Sequence, residues 1–489
     1  MTQASDSLRV LVDLKPALDG YAGIPQETRL LFAHLLGGDQ FRVDGLLQHG
    51  SGRLASRALP VNSEAPGAEG IVAQADTVVS FFGSAGQGFK GLVGHIKREY
   101  WWHSLLAWKA LRAEPLPLGH FDGNLFPDFI WSRLFAKSIG TEFKARLTAA
   151  GYRVLGPSRK AMQVAGLRPF SFFNKPHFPW VDTRGYQAFV AQTPFPGRVS
   201  AGTRLIVRYH DAVPVLLPHT INEKAFHLHS HFVSLRQNVA DGAWFACVSD
   251  TTRQDLLRLF PQVRDRAVVI PNIVSDAYHH DDSAPSLAHQ IIRRRRSSGG
   301  GVVGDMSRCG YLLVVSTIEP RKNHLALLAA WERLRQLDDS SLKLVVVGDP
   351  GWSSKPILDQ FRYWMDRGEL FHLSNVPAYE LRALYRHACV TVCPSIAEGF
   401  DYSGIEAMRC GSPVMASDIA VHREVFQDAA AYFDPYDLQS AVATLRMLVS
   451  DTGAEARATL RSSGARVAES YVSDTVLPLW HALLNRSSR

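Results

Sequence analysis

The chain has 489 residues, 46% hydrophobic and 20% charged, with a formal net charge of +7. That is the composition of a soluble globular protein long enough for two or three domains. No stretch approaches the ~18 apolar residues of a spanning helix, so no such helix is expected, while the mild positive excess fits an anionic ligand or an anionic membrane surface. The opening residues lack a charged segment followed by an apolar one, so no signal peptide is expected and the protein reads as cytoplasmic, with any membrane contact peripheral. The cysteines (Cys247, Cys309, Cys389, Cys393 and Cys410) are odd in number and mostly lie in apolar runs. They read as buried free thiols, since Cys389 and Cys393 lack the second ligand pair of a zinc site.

In chain order, "LRVLVDL" predicts a strand, "DGYAGIPQ" a glycine-containing turn and "ETRLLFAHLL" a helix. The pattern weakens over 81–200, which is rich in Phe, Trp and basic residues and reads as an insertion or acceptor region. Within it, "HIKREYWWHSLLAWKALR" (His95–Arg112) places Trp101, Leu105, Trp108 and Leu111 on one helical face beside basic residues, a pattern suited to a membrane surface or to core packing. Strands resume in "TRLIVRYHD", "AWFACVSD" and "AVVIPN". A polar stretch over 283–309, with Arg293–Arg296 and three consecutive glycines, predicts a flexible linker. Its Gly299, Gly301 and Gly304 match G-x-G-x-x-G but follow no strand and open no helix, so a dinucleotide site is not expected there. From Tyr311 onward, strand and helix alternate regularly: "YLLVVST", "LKLVVVGD", "LFHLSN", "CVTVCPS", "PVMAS" and "AAYF" are short apolar runs between helical segments. Strands apolar on both faces predict a parallel sheet covered by helices.

The chemistry gathers in "IAEGFDYSGIEAMRCGSPV" (Ile396–Val414), where Glu398 and Glu406 flank a glycine loop and a helix start. Gly399 permits close approach of a ligand. Ser403 is a candidate helix cap, and the free N–H groups of such a helix suit a phosphate. Two carboxylates beside a phosphate need another task. A carboxylate accepts two hydrogen bonds from neighbouring hydroxyls, so one glutamate is expected to hold a sugar and the other a ribose. Arg321 and Lys322, at the end of the first strand of the same unit, would neutralise the diphosphate. The alternatives are a capping loop with an acid in the first helical turn, and a solvated basic helix start.

Glu398-x7-Glu406 followed by "AMRCGSPVMASD" resembles the signature of retaining GT-B glycosyltransferases of family GT4. "STIEPRKN", "VVVGDPG", "YELRALYRHACVTVCPS" and "DAAAYFDPYD" resemble the same family in the same order, and "GYAGIP", "YHDAVP", "ACVSDTTRQDL" and "VVIPN" do so more loosely. The resemblance implies an α/β, GT-B fold: two Rossmann-like domains facing across a cleft. The expected divisions are 1–282 on the acceptor side, a linker over 283–309, a nucleotide-sugar domain over 310–465, and a helix over 466–489 crossing back to the first domain. It also implies roles. Glu406 holds the ribose, and Glu398 faces the donor sugar. Gly399, Phe400, Asp401, Ser403 and Gly404 line the sugar and phosphates. Arg321 and Lys322 bind the diphosphate, and Val376 lies against the base. Gly23 approaches the phosphates, and His210, beside Asp211, sits by the reacting sugar. Thr317 departs from the arginine of many members. The T-x-E-P-R-K-N variant resembles mannosyl- or rhamnosyltransferases of surface polysaccharide assembly, from which GDP-mannose follows as donor and a glycan or lipid-linked glycan as acceptor. No D-x-D pair occurs, and neither a metal, another cofactor nor a nucleic acid is expected. A nucleotide-sugar epimerase and a non-catalytic nucleotide-sugar-binding scaffold are the rival readings.

Overall fold

A computed structural model describes residues 7–486, apart from 22, 39, 49–66, 83–102, 168–174, 222–223, 297–309 and 339–340. The described residues build two large sheets, and a small third one from the two-residue strands Pro115–Leu116, Trp180–Val181 and Arg198–Val199. The first contains β1 (Leu8–Asp13), β2 (Phe41–Gln48), β3 (Leu118–Asp122), β4 (Gly151–Leu155), β5 (Ala188–Ala191), β6 (Arg204–Tyr209), β7 (Trp244–Cys247) and β8 (Ala267–Val269), in the order β8-β7-β6-β5-β1-β2-β4-β3. Its pairs are parallel except at the edge, where β3 runs antiparallel to β4. The second contains β9 (Tyr311–Val315), β10 (Lys343–Val347), β11 (Leu370–Leu373), β12 (Val390–Cys393), β13 (Val414–Ser417) and β14 (Ala430–Phe433), all parallel, in the order β11-β10-β9-β12-β13-β14. These strands are buried along nearly their whole length, because helices cover both faces.

The helices that shape the site are α1 (Ile24–Leu35), α2 (Asp250–Leu259), α3 (Pro285–Arg295), α4 (Ala378–His387), α5 (Tyr402–Arg409), α6 (Ala420–Phe426) and α7 (Ser473–Leu484). The last, α7, packs against the first sheet: Val476, Trp480, Leu483 and Leu484 share a core with Val10, Val12 and Phe32. The Trp480 indole also lies 5.3 Å from the buried Arg208 guanidinium.

Two expectations need correction. The region 81–200 is not an insertion, since it supplies β3, β4 and β5, the last paired directly with β1. These strands are only four or five residues long and lie between aromatic loops, so their alternation is too short to stand out. The stretch 283–309 is not wholly a linker either. Its first part is α3, which buries Ala288, Ile291 and Ile292 at helical spacing while Arg294 and Arg295 pair with the buried Glu380. The polar composition hid one narrow apolar stripe. The three glycines of the dinucleotide-like motif lie outside the described residues.

Of the Trp-rich segment, residues 95–102, including Trp101 and Trp102, lie outside the described residues. Residues 103–111 are helical, burying Leu106, Ala107 and Ala110 and leaving Trp108 and Leu111 each 46% exposed. No helix among the described residues is long and apolar enough to cross a membrane. The four described cysteines are free thiols, three of them buried.

Candidate functional site

A cleft of about 620 Å³ opens between the two sheets. It is lined by the loops that leave the carboxyl ends of β1, β6 and β7 on one side and of β9, β10, β11 and β12 on the other. That is where parallel α/β sheets hold ligands, because the strand-to-helix turns present backbone N–H groups there.

The charge is concentrated on the second side. Glu398 is buried and accepts from Arg321 Nη1 at 2.9 Å and from Lys322 Nζ. Burial alone would raise its pKa, but Arg321 and Lys322 outweigh burial and hold it below the usual carboxylate range. The Arg321 guanidinium also bonds the Ala397 carbonyl and Glu319 Oε1, the latter at 2.9 Å. Burial opposes its charge, yet Glu398 and Glu319 keep it more firmly protonated than usual. Burial raises the Glu319 pKa despite the same two cations. The sequence suggested cations facing phosphate and a glutamate facing sugar. In the structure the three groups form one cluster, and a buried cluster of this kind costs little only while every member keeps its partner.

The loop after Glu398 is fixed from both sides. A Cβ on Gly399 would lie 1.7 Å from the His210 carbonyl oxygen, so no side chain fits. The Gly399 carbonyl accepts from Ser249 Oγ at 2.8 Å, tying the loop to the first sheet's side. Phe400 is buried against Tyr402 and Tyr471. Ser403 is not the helix cap. Asp401 is, with a left-handed φ of 67° and a carboxylate that accepts from the Ser403 amide and hydroxyl. Gly404 is a second correction: it does not line the cleft, and a Cβ there would meet the Phe426 ring at 2.2 Å. It is small so that α5 can pack on α6.

Glu406, one turn into α5, sits in a different environment. Its oxygens accept from Gln26 Nε2 at 2.8 Å and from the Tyr385 hydroxyl at 3.1 Å. With no cation beside it among the described residues, burial pushes its pKa up to about 7 against those two bonds. Gln26 lies in the first turn of α1, so this bond crosses the cleft. Beside it, Tyr402 donates to Glu27 at 2.9 Å, and Glu27 pairs with Arg208 at 2.9 Å, both carboxylate and guanidinium being fully buried.

His210 reaches the cleft from the end of β6, and its buried Nε2 has no hydrogen-bond partner among the described residues. Burial, then the Arg208 charge, lowers its pKa to about 3, so the ring is neutral. Asp211 is not its partner: its carboxylate accepts from the Val213 amide. Gly23 has a φ of 68° with open space where a Cβ would stand, and it lines the cleft with Val376. The cleft also includes residues that the sequence did not single out. Gly348 and Asp349 lie within the quoted "VVVGDPG" stretch and Ser316 opens "STIEPRKN"; both stretches were legible as motifs but not as a wall. Lys137 and Ser138 come from the region of weak pattern, and nothing in their local sequence marks them. Trp352 closes one side with its indole N–H on the Thr220 carbonyl, 2.6 Å away.

Residues 308–467 match the family described as glycosyl transferases group 1. This segment is a group 1 glycosyltransferase domain. The O-antigen chain mannosyltransferase B of Escherichia coli is 29% identical over 228 residues, 47% of this chain and 57% of that protein. The serotype-specific mannosyltransferase WbdA of the same organism is 33% identical over 141 residues, 28% of this chain and 17% of that protein. The chain therefore spans about half the length of the first of these curated relatives and less of the second. Among solved structures, the sucrose-phosphate synthase of Thermosynechococcus elongatus superposes with a TM-score of 0.59 at 14% identity, covering 98% of this chain and all of that one. Anabaena HepE in complex with UDP gives 0.52 at 12% identity, with 98% of this chain covered. The group 1 glycosyltransferase domain thus sits in a chain with the GT-B glycosyltransferase fold.

Proposed function

We propose that the chain is a hexosyltransferase that moves a sugar, mannose from GDP-mannose in the first instance, from a nucleoside diphosphate to a glycan or lipid-linked glycan of a cell-surface polysaccharide, with retention of configuration. The observation that carries this reading is the cluster of Arg321, Lys322 and Glu398 within one cleft that also holds Glu406 and the neutral His210. The mannosyl donor and the polysaccharide acceptor rest on what the two Escherichia coli relatives are called.

The groups divide the work by their charge. Arg321 and Lys322 would turn from Glu398 toward the diphosphate and stabilise it as it leaves. Glu398, part-relieved of its cations, would then accept from sugar hydroxyls. Glu406 retains free lone pairs beyond those used by Gln26 and Tyr385, which suits the two hydroxyls of a ribose. Val376 supplies an apolar wall for the base, and Gly23 and Gly399 admit the phosphates closely. His210, unprotonated, can accept one hydrogen bond at the reacting sugar through Nε2. The leaving phosphate can take the acceptor's proton itself, so no carboxylate nucleophile of the glycosidase kind is required. The enzyme's contribution is position and electrostatics.

Because two side-chain cations face the diphosphate, the reading expects transfer to proceed with a chelator present. It also expects the protein to work at the cytoplasmic membrane face, where Trp108 and Leu111, with Arg112 stacked 3.9 Å over the Trp108 ring, offer an apolar and basic contact. Flotation with anionic and neutral liposomes tests this. Salt-sensitive binding to anionic vesicles alone supports it, and no binding, or equal binding to both, contradicts it.

The function is tested by thermal shift against a panel of nucleotide sugars, since a ligand of the folded state raises its stability. GDP-mannose should give the largest shift, and a glycan acceptor should then release GDP. Conversion of the donor into another sugar nucleotide without acceptor would indicate an epimerase. Binding without release under any acceptor would indicate a scaffold.

A further inference from the structure

The left-handed turn at Asp401 is the least expected feature of the site. A residue other than glycine held at a φ of 67° and a ψ of 87° is strained and persists only where its surroundings impose it. One carboxylate oxygen accepts from the Ser403 amide at 3.2 Å and from its hydroxyl at 2.6 Å. The other faces His422 Nε2 at 3.1 Å. His422 belongs to α6, is fully buried, and stacks on Phe426 with ring centroids 4.9 Å apart. Its other nitrogen, Nδ1, faces the Ser417 carbonyl at 2.9 Å.

The ring thus lies behind the loop that faces the cleft and bridges the carboxylate that shapes that loop to the Ser417 carbonyl of β13. The charge of Asp401 fits this pairing: burial would raise its pKa, but the His422 bond and charge, with Lys322 and Ser403 behind them, hold it far below the usual range. The other groups near the pair are the Cys393 thiol at the end of β12 and Glu398, which interacts with Asp401 across the loop. From α6 and β14 the contacts are the Phe426 ring and the Tyr432 hydroxyl, the latter on the His422 carbonyl.

We propose that His422 is a positioning residue which, by bridging Asp401 and the Ser417 carbonyl, holds the left-handed turn that aims the backbone N–H groups from Gly399 to Tyr402 at an anionic ligand in the cleft. This rests on the nucleotide-sugar reading for the identity of that anion. Without the ring's contact Asp401 is released, and the turn relaxes toward an ordinary backbone conformation.

The test follows GDP and UDP binding to the full chain by calorimetric titration. His422→Phe should weaken the tighter ligand about tenfold, and His422→Gln, which keeps one donor, should fall between. Adding Asp401→Gly to His422→Phe should restore affinity, because glycine takes the left-handed turn unaided. Unchanged affinity in His422→Phe, or no recovery in the double variant, contradicts the proposal. If neither nucleotide binds the wild-type protein, the nucleotide-sugar reading fails separately. Amide exchange at Phe400–Ser403 then decides the matter: exchange faster in His422→Phe than in the wild type supports the role of His422, and unchanged exchange refutes that role.

Discussion

The two walls of the cleft solve burial in opposite ways. The wall after β9 and β12 packs Glu319, Arg321, Lys322 and Glu398 into one charged cluster with direct ion pairs. The wall after β1 and β6 presents Gly23, Gln26 and the neutral His210, and keeps its own ion pair, Glu27 with Arg208, beneath the surface. The first wall carries charge that can be handed to a ligand. The second carries charge that is locked away as scaffold. Function and stability should therefore separate in part: substitutions on the first wall should change binding and turnover, with a loss of stability where an ion pair is broken, and those beneath the second should change folding alone.

The largest expected effect is structural. Trp480→Ala would open a cavity where α7 returns to the first sheet and should cost about 3–5 kcal/mol in denaturant unfolding. Glu27→Gln should be similar in size, because it leaves Arg208 buried without its carboxylate. If either variant kept wild-type stability while donor binding vanished, the division between scaffold and site would be wrong.

Next comes Arg321→Ala, which should abolish transfer and also destabilise by about 3–5 kcal/mol, since Glu319 and Glu398 lose a buried partner. Glu398→Gln should lower turnover more than donor affinity, as expected of a contact strengthened in the transition state. It should also alter acid stability. A carboxylate whose pKa is depressed on folding stabilises above its unfolded value and loses that contribution as pH falls, so the variant should show a shallower loss of stability below about pH 4.

Glu406 sharpens the contrast, because it belongs to the charged wall's helix and has no cation. Its pKa is raised from the ordinary 4.5 to about 7, so the sign reverses. Its contribution is full below about pH 4.5 and is lost as pH rises toward 7, by up to about 1.4 kcal/mol per pH unit. Glu406→Gln should flatten that decline in thermal or denaturant unfolding. It should also weaken donor binding by about 1.5–3 kcal/mol through one lost charge-assisted bond. The smallest effect should come from Glu424, which caps the start of α2 from across the molecule by accepting from the Asp250 and Thr251 amides. Glu424→Ala should cost about 0.5–2 kcal/mol and widen the chain in X-ray scattering.

The same contrast explains what the sequence made legible. The second sheet could be read strand by strand because each strand is an apolar run bounded by a helix of clear periodicity. The cluster could be read because Arg321, Lys322, Glu398 and Glu406 lie in two short stretches of one unit. The first sheet was half hidden. β3 is a short edge strand and its neighbour β4 is as short, and the helical segment Pro127–Phe135, whose following turn reaches the cleft at Lys137 and Ser138, has no local signature. Some side chains were assigned to the wrong task because sequence spacing gives no direction: Ser403 and Asp401 exchange the capping role through a left-handed φ, and Gly404 faces a helix rather than the cleft. His422 and Gln26 were missed for another reason. Each acts on a residue far from it in sequence, and only the folded chain brings the pair together.

Arg321 and Lys322 are proposed to stand where other enzymes use a metal ion at a nucleoside diphosphate. The decisive measurement is calorimetric titration of GDP and UDP into the wild-type protein in excess EDTA, beside Arg321→Met and Lys322→Met. At least one nucleotide should bind in EDTA, and each substitution should weaken it at least about tenfold, the loss expected of one charge-assisted contact. Binding that appears only with magnesium or manganese, or that survives both substitutions unchanged, would contradict that role.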